Sequence, residues 1–420
     1  MKETIITGLD IGSAKISSVI ASIDKDLKIT VLGIGKAKTA GFLNGKVQDL
    51  KLFSESIISS ITTAESVANK TAQNLYVSIA GSYLSSHISQ GTVHLTSGQG
   101  LTEIEQLHVD HVLSNAVIEN KRHFNSEQYE IIHCIPQYYT LDEQENIPNP
   151  IGMDGYELSV KALIVTAEVA PMRNIKKAIK MAGFSEAKYV YAPIASAKAT
   201  MNEYEQDLGG LLLDVGSNIS DLLLMNKKYP QFALSVDKGS QLITYDLYTH
   251  LKTTPDFAEQ IKIEVNNYAN DTAYPGTDVE IKGIGGRPAG VVPLDFIIKI
   301  IEDRVEEILN EVYKHYLNNY QKINSPVAGI VLTGGAAHMN CFSKLCYKIF
   351  NMSVRIAYPD FSGFTSIVQD LNTPNYSTIV GTLYFALDDL TGNKKESNFN
   401  FSFGLKGIKQ SIINFFKELT

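Results

Sequence analysis

Cysteine is scarce, long apolar runs are missing and basic residues are outnumbered, and each shortage removes a class of protein. The three cysteines, Cys134, Cys341 and Cys346, are too few for a disulfide framework and are expected of a chain kept in a reducing cytoplasm. No stretch approaches the roughly 18 apolar residues of a membrane span. The first apolar run, Ile5 to Ile11, is too short for a secretory signal and carries Asp10. With 37 Lys and Arg against 45 Asp and Glu, the formal net charge is −8, and nucleic acid is not expected as a partner. His338, Cys341 and Cys346 match no zinc spacing and lack a fourth ligand, so core packing is their expected role.

What the chain has is folded-protein composition and a repeat. Its 420 residues are 44% apolar and 20% charged, which suits two or more domains. Ile5 to Ser13 and Leu211 to Ser217 share one pattern, an apolar strand followed by Asp, an aliphatic residue, Gly and Ser. Each continues into a second apolar run, so both read as hairpins with a small-residue tip. Glycine lets backbone N–H groups approach phosphate oxygens, and the serine hydroxyl adds a donor. Asp10 and Asp214, at the strand ends, are placed to hold a hydrated Mg²⁺ between them. Gly329 to Ala337 is a third buried-type strand ending in the pair Gly334-Gly335, suited to a base and ribose.

Strand-like and helical runs alternate along the chain. Strand patterns are expected at Lys28 to Gly35, Asn74 to Ala80 and Val160 to Thr166, and helices at Leu50 to Ala68, Ala170 to Met181 and Asp295 to Asn319. Meanders at 5–35 and 211–236 imply two similar α/β halves. Residues 84–161 read as polar and turn-rich, and 237–303 contain a helical stretch and the turn Gly283 to Pro288. Residues 388–404 read as a flexible linker. From Leu405, apolar residues at Ile408, Ile412, Phe415, Phe416 and Leu419 share one side of a helix, with Lys409 at its border. That pattern suits a helix lying in the headgroup plane of an anionic inner leaflet, or a terminal helix docked on the protein's own core.

The chain resembles the FtsA family, the actin-like proteins of bacterial cell division. The resemblance rests on Gly8 to Ser13, on His133 to Tyr139 with Asn149 to Met153, and on Gly285 to Pro288. Ala328 to Ala337, Ser377 to Gly381 and the amphipathic terminus complete it. It implies an α/β, two-lobed ATPase of the actin/heat-shock-70/hexokinase type with a relocated small subdomain and a C-terminal amphipathic helix. In these terms residues 1–83, continued by 162–195 and 360–387, form the first lobe, and 84–161 are the inserted subdomain. Residues 196–227, continued by 304–359, form the second lobe, 228–303 its small subdomain, 388–404 the linker and 405–420 the membrane-targeting helix.

The same resemblance implies ATP and Mg as cofactors. Asp10, Gly12, Ser13, Ala14 and Lys15 would form the first phosphate loop and metal approach, and Asp214, Gly216, Ser217 and Asn218 the second, with Gly239 also at the nucleotide. Gly334, Gly335 and Ala336 would pack against adenosine. Glu259 and Lys262 would lie near the ribose and base, although their spacing alone fits an ordinary solvated ion pair. Lys299, Glu302 and Arg304 would meet the C-terminal peptide of the tubulin-like division protein FtsZ. Further implied partners are other copies of the chain in filaments, later division proteins and the anionic surface of the inner membrane. The second loop departs from the family's Asp-x-Gly-Gly-Gly-Thr-x-Asp, with Ser217, Asn218 and Ile219 in place of Gly, Gly and Thr, so nucleotide binding with slow or absent hydrolysis is expected. A small-molecule kinase on the same fold would need a substrate-facing Asp base, and a heat-shock-70-like chaperone a large region after the core.

Overall fold

A computed structural model of the chain describes residues 3–95, 100–121, 127–268, 277–285, 290–320 and 326–391. The opening meander is β1 (Thr4–Ile11), β2 (Lys15–Ile23) and β3 (Ile29–Lys38), followed by a ribbon of β4 (Phe42–Leu43) and β5 (Lys46–Val47). Helix α1 (Leu50–Ala68) then returns the chain to β6 (Leu75–Ile79). The Asp49 side chain caps α1 by accepting from the Leu52 N–H at 2.9 Å. Its buried face carries Phe53, Ile57, Ile61 and Ala64, a period that can cover a sheet. Gly35 of β3 lets α1 lie close, since a Cβ there would fall 1.9 Å from the Ser60 carbonyl oxygen.

The inserted unit is β7 (Leu84–His94), β8 (Thr102–Glu103), α2 (Gln106–Lys121), β9 (Tyr129–Leu141), β10 (Gln144–Ile147), β11 (Asp154–Gly155) and β12 (Glu157–Glu168). It is a four-stranded sheet ordered β10-β9-β12-β7, with Val112, Leu113, Ala116 and Val117 of α2 in its own core. The expected boundary at 161 cuts through β12, which pairs with β7 and β9 up to Ala167. The unit therefore extends to Glu168.

The chain continues through α3 (Val169–Met181), β13 (Lys188–Tyr191), α4 (Ala192–Thr200) and α5 (Glu203–Leu208). A second meander follows, β14 (Leu211–Val215), β15 (Ser220–Asn226) and β16 (Tyr229–Val236). Next come α6 (Gln241–Leu251), α7 (Pro255–Tyr268), the ribbon β17 (Asp278–Ile281) and β18 (Gly290–Pro293), and α8 (Leu294–Tyr320). The last elements are β19 (Ile330–Thr333), α9 (Asn340–Phe350), β20 (Val354–Ile356) and α10 (Ser377–Thr391). Three expected boundaries move here. β16 is hydrogen-bonded to β15, so residues 229–236 belong to the second-lobe sheet, and α8 runs without a break through residue 304. Residues 388–391 are the last turn of α10, held by Asp388 on Lys198 and Asp389 on Lys188, so any linker starts after Thr391.

The two lobes carry the same five-stranded sheet. One is ordered β3-β2-β1-β6-β13 and the other β16-β15-β14-β19-β20, each an antiparallel meander joined to two parallel strands. Helices α1 and α3 cover one face of the first sheet, and α10 covers the other. Helices α6, α8 and α9 cover the second. Between the lobes α4 crosses α10 so tightly that a Cβ at Gly381 would fall 1.8 Å from the Ala195 carbonyl oxygen. Among the described residues no helix is long and apolar enough to cross a membrane.

Candidate functional site

The meander tips of both lobes and the end of β19 open onto one cleft of about 780 Å³. Its walls include Asp10, Gly12, Ser13, Ala14, Lys15, Asp214, Gly216, Ser217, Asn218, Glu259, Lys262, Gly334, Gly335 and Ala336. The first tip is tight because a Cβ at Gly12 would meet the Lys15 carbonyl oxygen at 2.7 Å. The Thr39 hydroxyl anchors it by donating to the Gly12 carbonyl at 2.7 Å. At the second tip the Gly216 N–H bonds the Ile219 carbonyl at 2.9 Å, and the start of α6 grips the turn through Ser240 N–H to Gly216 O and Gln241 N–H to Ser217 O. Gly239 sits behind it rather than in the wall: a Cβ there would lie 2.4 Å from Ser217 O. Gly334 adopts φ 85°, and a Cβ on it would fall 2.2 Å from Asp214 Oδ1. Only glycine satisfies both conditions.

The carboxylates are held by hydroxyl donors. Ser78 donates to Asp10 at 2.6 Å, Ser196 of α4 and Thr378 of α10 donate to one oxygen of Asp214 at 2.6 and 3.2 Å, and Ser235 donates to Asp221. Burial raises the pKa of Asp10 against the Ser78 bond and the charge of Lys15. Burial, reinforced by the charge of Asp10, pushes Asp214 up to about 6 despite its two donors. Asp221 lies directly opposite Asp214 in the β14/β15 ladder; burial and then the charge of Asp214 raise it well above the carboxylate range. Like charges facing each other across a ladder are unfavourable, so this corner of the cleft resists ionisation of both carboxylates at once. Among the described residues no three His, Cys, Asp or Glu side chains converge as direct metal ligands.

On α7, Lys262 bonds Glu259 at 2.7 Å and the Thr244 hydroxyl at 3.0 Å. Its side chain is only 8% exposed, so the pair is not an ordinary solvated one. Burial lowers the Lys262 pKa, opposed by Glu259. Lys15 rests over the Tyr376 ring at 3.7 Å, and Lys36 approaches the same ring at 4.8 Å. Tyr376 and Asp221 were not reached from the sequence, Tyr376 because it lies far along the chain. Asp221 is the closing Asp of the loop pattern, and only the strand register aims it at Asp214.

Away from the cleft, Lys299 and Glu302 are exposed on α8, with Lys299 paired to Asp303 at 2.5 Å. Arg304 is engaged inside the lobe, gripping Asp246 of α6 through two nitrogens and reaching Glu307 at 2.6 Å. Its spacing on α8 gave no sign of Asp246. Phe296, one turn before Lys299 on α8, and Val291 of β18 are large exposed apolar groups. Arg287 and Pro288, and Leu405, Ile408, Ile412, Phe415, Phe416 and Leu419, lie outside the described residues.

Comparison with known proteins gives the fold and the family. A family model described as the SHS2 domain inserted in FtsA matches residues 81–166, and one described as cell division protein FtsA matches 211–381. The chain is 31% identical over 392 residues to cell division protein FtsA of Neisseria meningitidis serogroup B, covering 92% of this chain and 91% of that protein. It is 28% identical over 403 residues to FtsA of Escherichia coli K12, covering 94% and 91%. Among solved structures, a PilM-PilN type IV pilus biogenesis complex superposes with a TM-score of 0.61 at 13% identity, over 91% of this chain and 98% of that one. MreB5 of Spiroplasma citri bound to ADP gives 0.54 at 12%, over 92% and 98%. These structural likenesses establish an actin-like ATPase fold, and the sequence relatives establish that the chain belongs to the FtsA family of cell division proteins.

Proposed function

We propose that this protein binds Mg-ATP between its lobes, assembles into actin-like filaments, and ties FtsZ to the cytoplasmic face of the inner membrane while recruiting later division proteins. The observation that carries the reading is the cleft, where three strand-end turns and opposed carboxylates converge in a chain of this family. Gly12, Ser13 and Gly216 supply backbone and hydroxyl donors for phosphates, with Lys15 as the nearby cation. Asp10 and Asp214 would hold a hydrated Mg²⁺, which fits their burial and raised pKa. Gly334, Gly335 and Ala336 would face the adenosine, with Glu259 and Lys262 near the ribose and base. Ile219 lacks the hydroxyl that the family's Thr brings to the second loop, so turnover is slow or absent.

In this reading FtsZ docks on the second lobe's small subdomain. Lys299, Glu302 and the exposed Phe296 would meet the acidic, apolar peptide, and Arg304 would brace α8 through Asp246 rather than touch it. The inserted unit would serve filament and division-protein contacts. Residues 405–420 would lie in the headgroup plane, each copy weakly bound and filaments strongly bound through many copies. Fluorescent FtsZ mixed with anionic vesicles tests this. FtsZ should coat the vesicles only when this protein and ATP are present, and Phe415→Glu with Phe416→Glu should abolish the coat. Absence of a coat with the unaltered protein would refute the tethering role.

A further inference from the structure

Helix α3 carries four cations and no acid, in a chain whose net charge is −8. Arg173, Lys176, Lys177 and Lys180 are spaced by three, four and seven residues, which places them on one side of the helix. The opposite side, Met172, Ile175, Ala178 and Ile179, is packed into the first-lobe core. All four cations are exposed, as is Met181 at the end of the row. Among the described residues, Lys176 is the one of the four in an ion pair, with Glu130 at 2.6 Å. The nearest acids along the chain, Glu168 and Glu186, lie beyond the two ends of the helix.

The location of this row indicates its partner. Lys176 Nζ lies 5.7 Å from the ring of Tyr189 in β13, an edge strand of the first-lobe sheet. The preceding residue of β13, Lys188, is bonded to Asp389 in the last turn of α10, which also accepts from the Tyr76 hydroxyl at 2.7 Å. The end of α10, the last described part of the chain, is therefore bonded to the same edge strand, β13, that Lys176 of the row approaches.

We propose that the α3 row, through Arg173, Lys177 and Lys180, is a second membrane contact that rests on anionic lipid headgroups. The inference rests on the membrane reading of residues 405–420. Charge complementarity favours lipid over the tail itself as the occupant, because the tail carries Lys406, Lys409 and Lys417 against Glu418, and like charges would meet. Basic residues near an anionic leaflet each add to binding, and the effect fades within a Debye length. Two weak contacts on one body also fix its orientation on the membrane, which a single tethered helix cannot do.

Co-sedimentation of the full chain with phosphatidylglycerol-containing vesicles, and with phosphatidylcholine vesicles, tests the proposal. Arg173→Glu with Lys177→Glu and Lys180→Glu should weaken binding to the anionic vesicles by about tenfold or more at low salt. The loss should disappear at high salt. Lys25→Glu with Lys227→Glu and Lys228→Glu makes the same change in net charge on other exposed turns, and should reduce binding much less. Equal effects of the two triple variants, or none from the α3 variant, would overturn the α3 contact. The tail is scored separately by Phe415→Glu with Phe416→Glu: if that variant binds like the unaltered protein, the tail reading fails, whatever the α3 variant does. Circular dichroism of each variant should be unchanged, and an Arg173→Gln, Lys177→Gln, Lys180→Gln variant should give an intermediate loss.

Discussion

The two lobes place an Asp at the same point of the same sheet and surround it differently. In the first lobe Asp10 faces Ser17 across the β1/β2 ladder and lies beside Ser78 of β6. In the second, Asp214 faces Asp221 across β14/β15 and lies beside Thr333 of β19. The residue after Ser78 is the buried Ile79, whereas the residue after Thr333 is Gly334, pressed against the Asp214 carboxylate. A duplicated scaffold thus carries a single carboxylate in one lobe and a pair of opposed carboxylates in the other, each held by hydroxyl donors. The second lobe is the side on which two carboxylates are opposed, and the first is the side that carries the cation Lys15.

Exchanging residues between the lobes tests that difference. Ser17 is fully buried, so Ser17→Asp would give the first lobe the second lobe's arrangement without its donors. Unfolding in urea should show a loss of about 3–5 kcal/mol, as for other uncompensated buried charges. A loss below 1 kcal/mol would mean that the cleft solvates the first-lobe position. Gly334→Ala forces a Cβ onto Asp214 at positive φ and should cost about 1–3 kcal/mol, with the loss measured in the absence of nucleotide.

Asp221→Asn should act in the opposite sense, raising the urea midpoint of the magnesium-free protein at pH 7.5 through relief of a carboxylate held against its preference by burial and by Asp214. The pH dependence follows from the same pKa shifts. Asp214 has a folded pKa of about 6 against an ordinary 3.8, and Asp221 is shifted the same way, so in that window the folded state binds more protons than the unfolded one. These groups therefore make the metal-free protein gain stability as the pH falls from 7.5 toward 5, and lose it as the pH rises through their folded pKa values. Scanning calorimetry should show the slope reduced in Asp221→Asn and flattened by Mg²⁺. An unchanged slope would place the relevant titration elsewhere.

The tips were legible in the sequence because strand, Asp, Gly and Ser are local signals, and their repetition fixed two similar halves. The α1 boundaries were legible for the same reason, since Asp49 and the apolar period are contiguous. The inserted unit was legible in outline, with Val160 to Thr166 read as a strand, but its end and its inner pairing were not: β9 mixes polar and apolar residues, and its register against β12 is set by contacts distant along the chain. The end of α10 misled because Asp388 and Asp389 look like linker residues until Lys198 and Lys188 are seen beside them. Arg304 looked available for a partner because nothing in its own helix reveals Asp246, 58 residues away. The opposition of Asp214 and Asp221 needed the strand register, although both residues stood in the loop pattern.

Isothermal titration of Mg-ATP into the unaltered protein, Asp10→Asn and Asp214→Asn tests the central claim most directly. Both substitutions keep the size of the side chain and an acceptor for Ser78 or for Ser196 and Thr378. If the lobes share a hydrated cation and its phosphates, each should weaken binding by about 10–100-fold, the range expected for groups that act through a metal's water shell. Mg-ATP affinity unchanged in both variants would contradict the account.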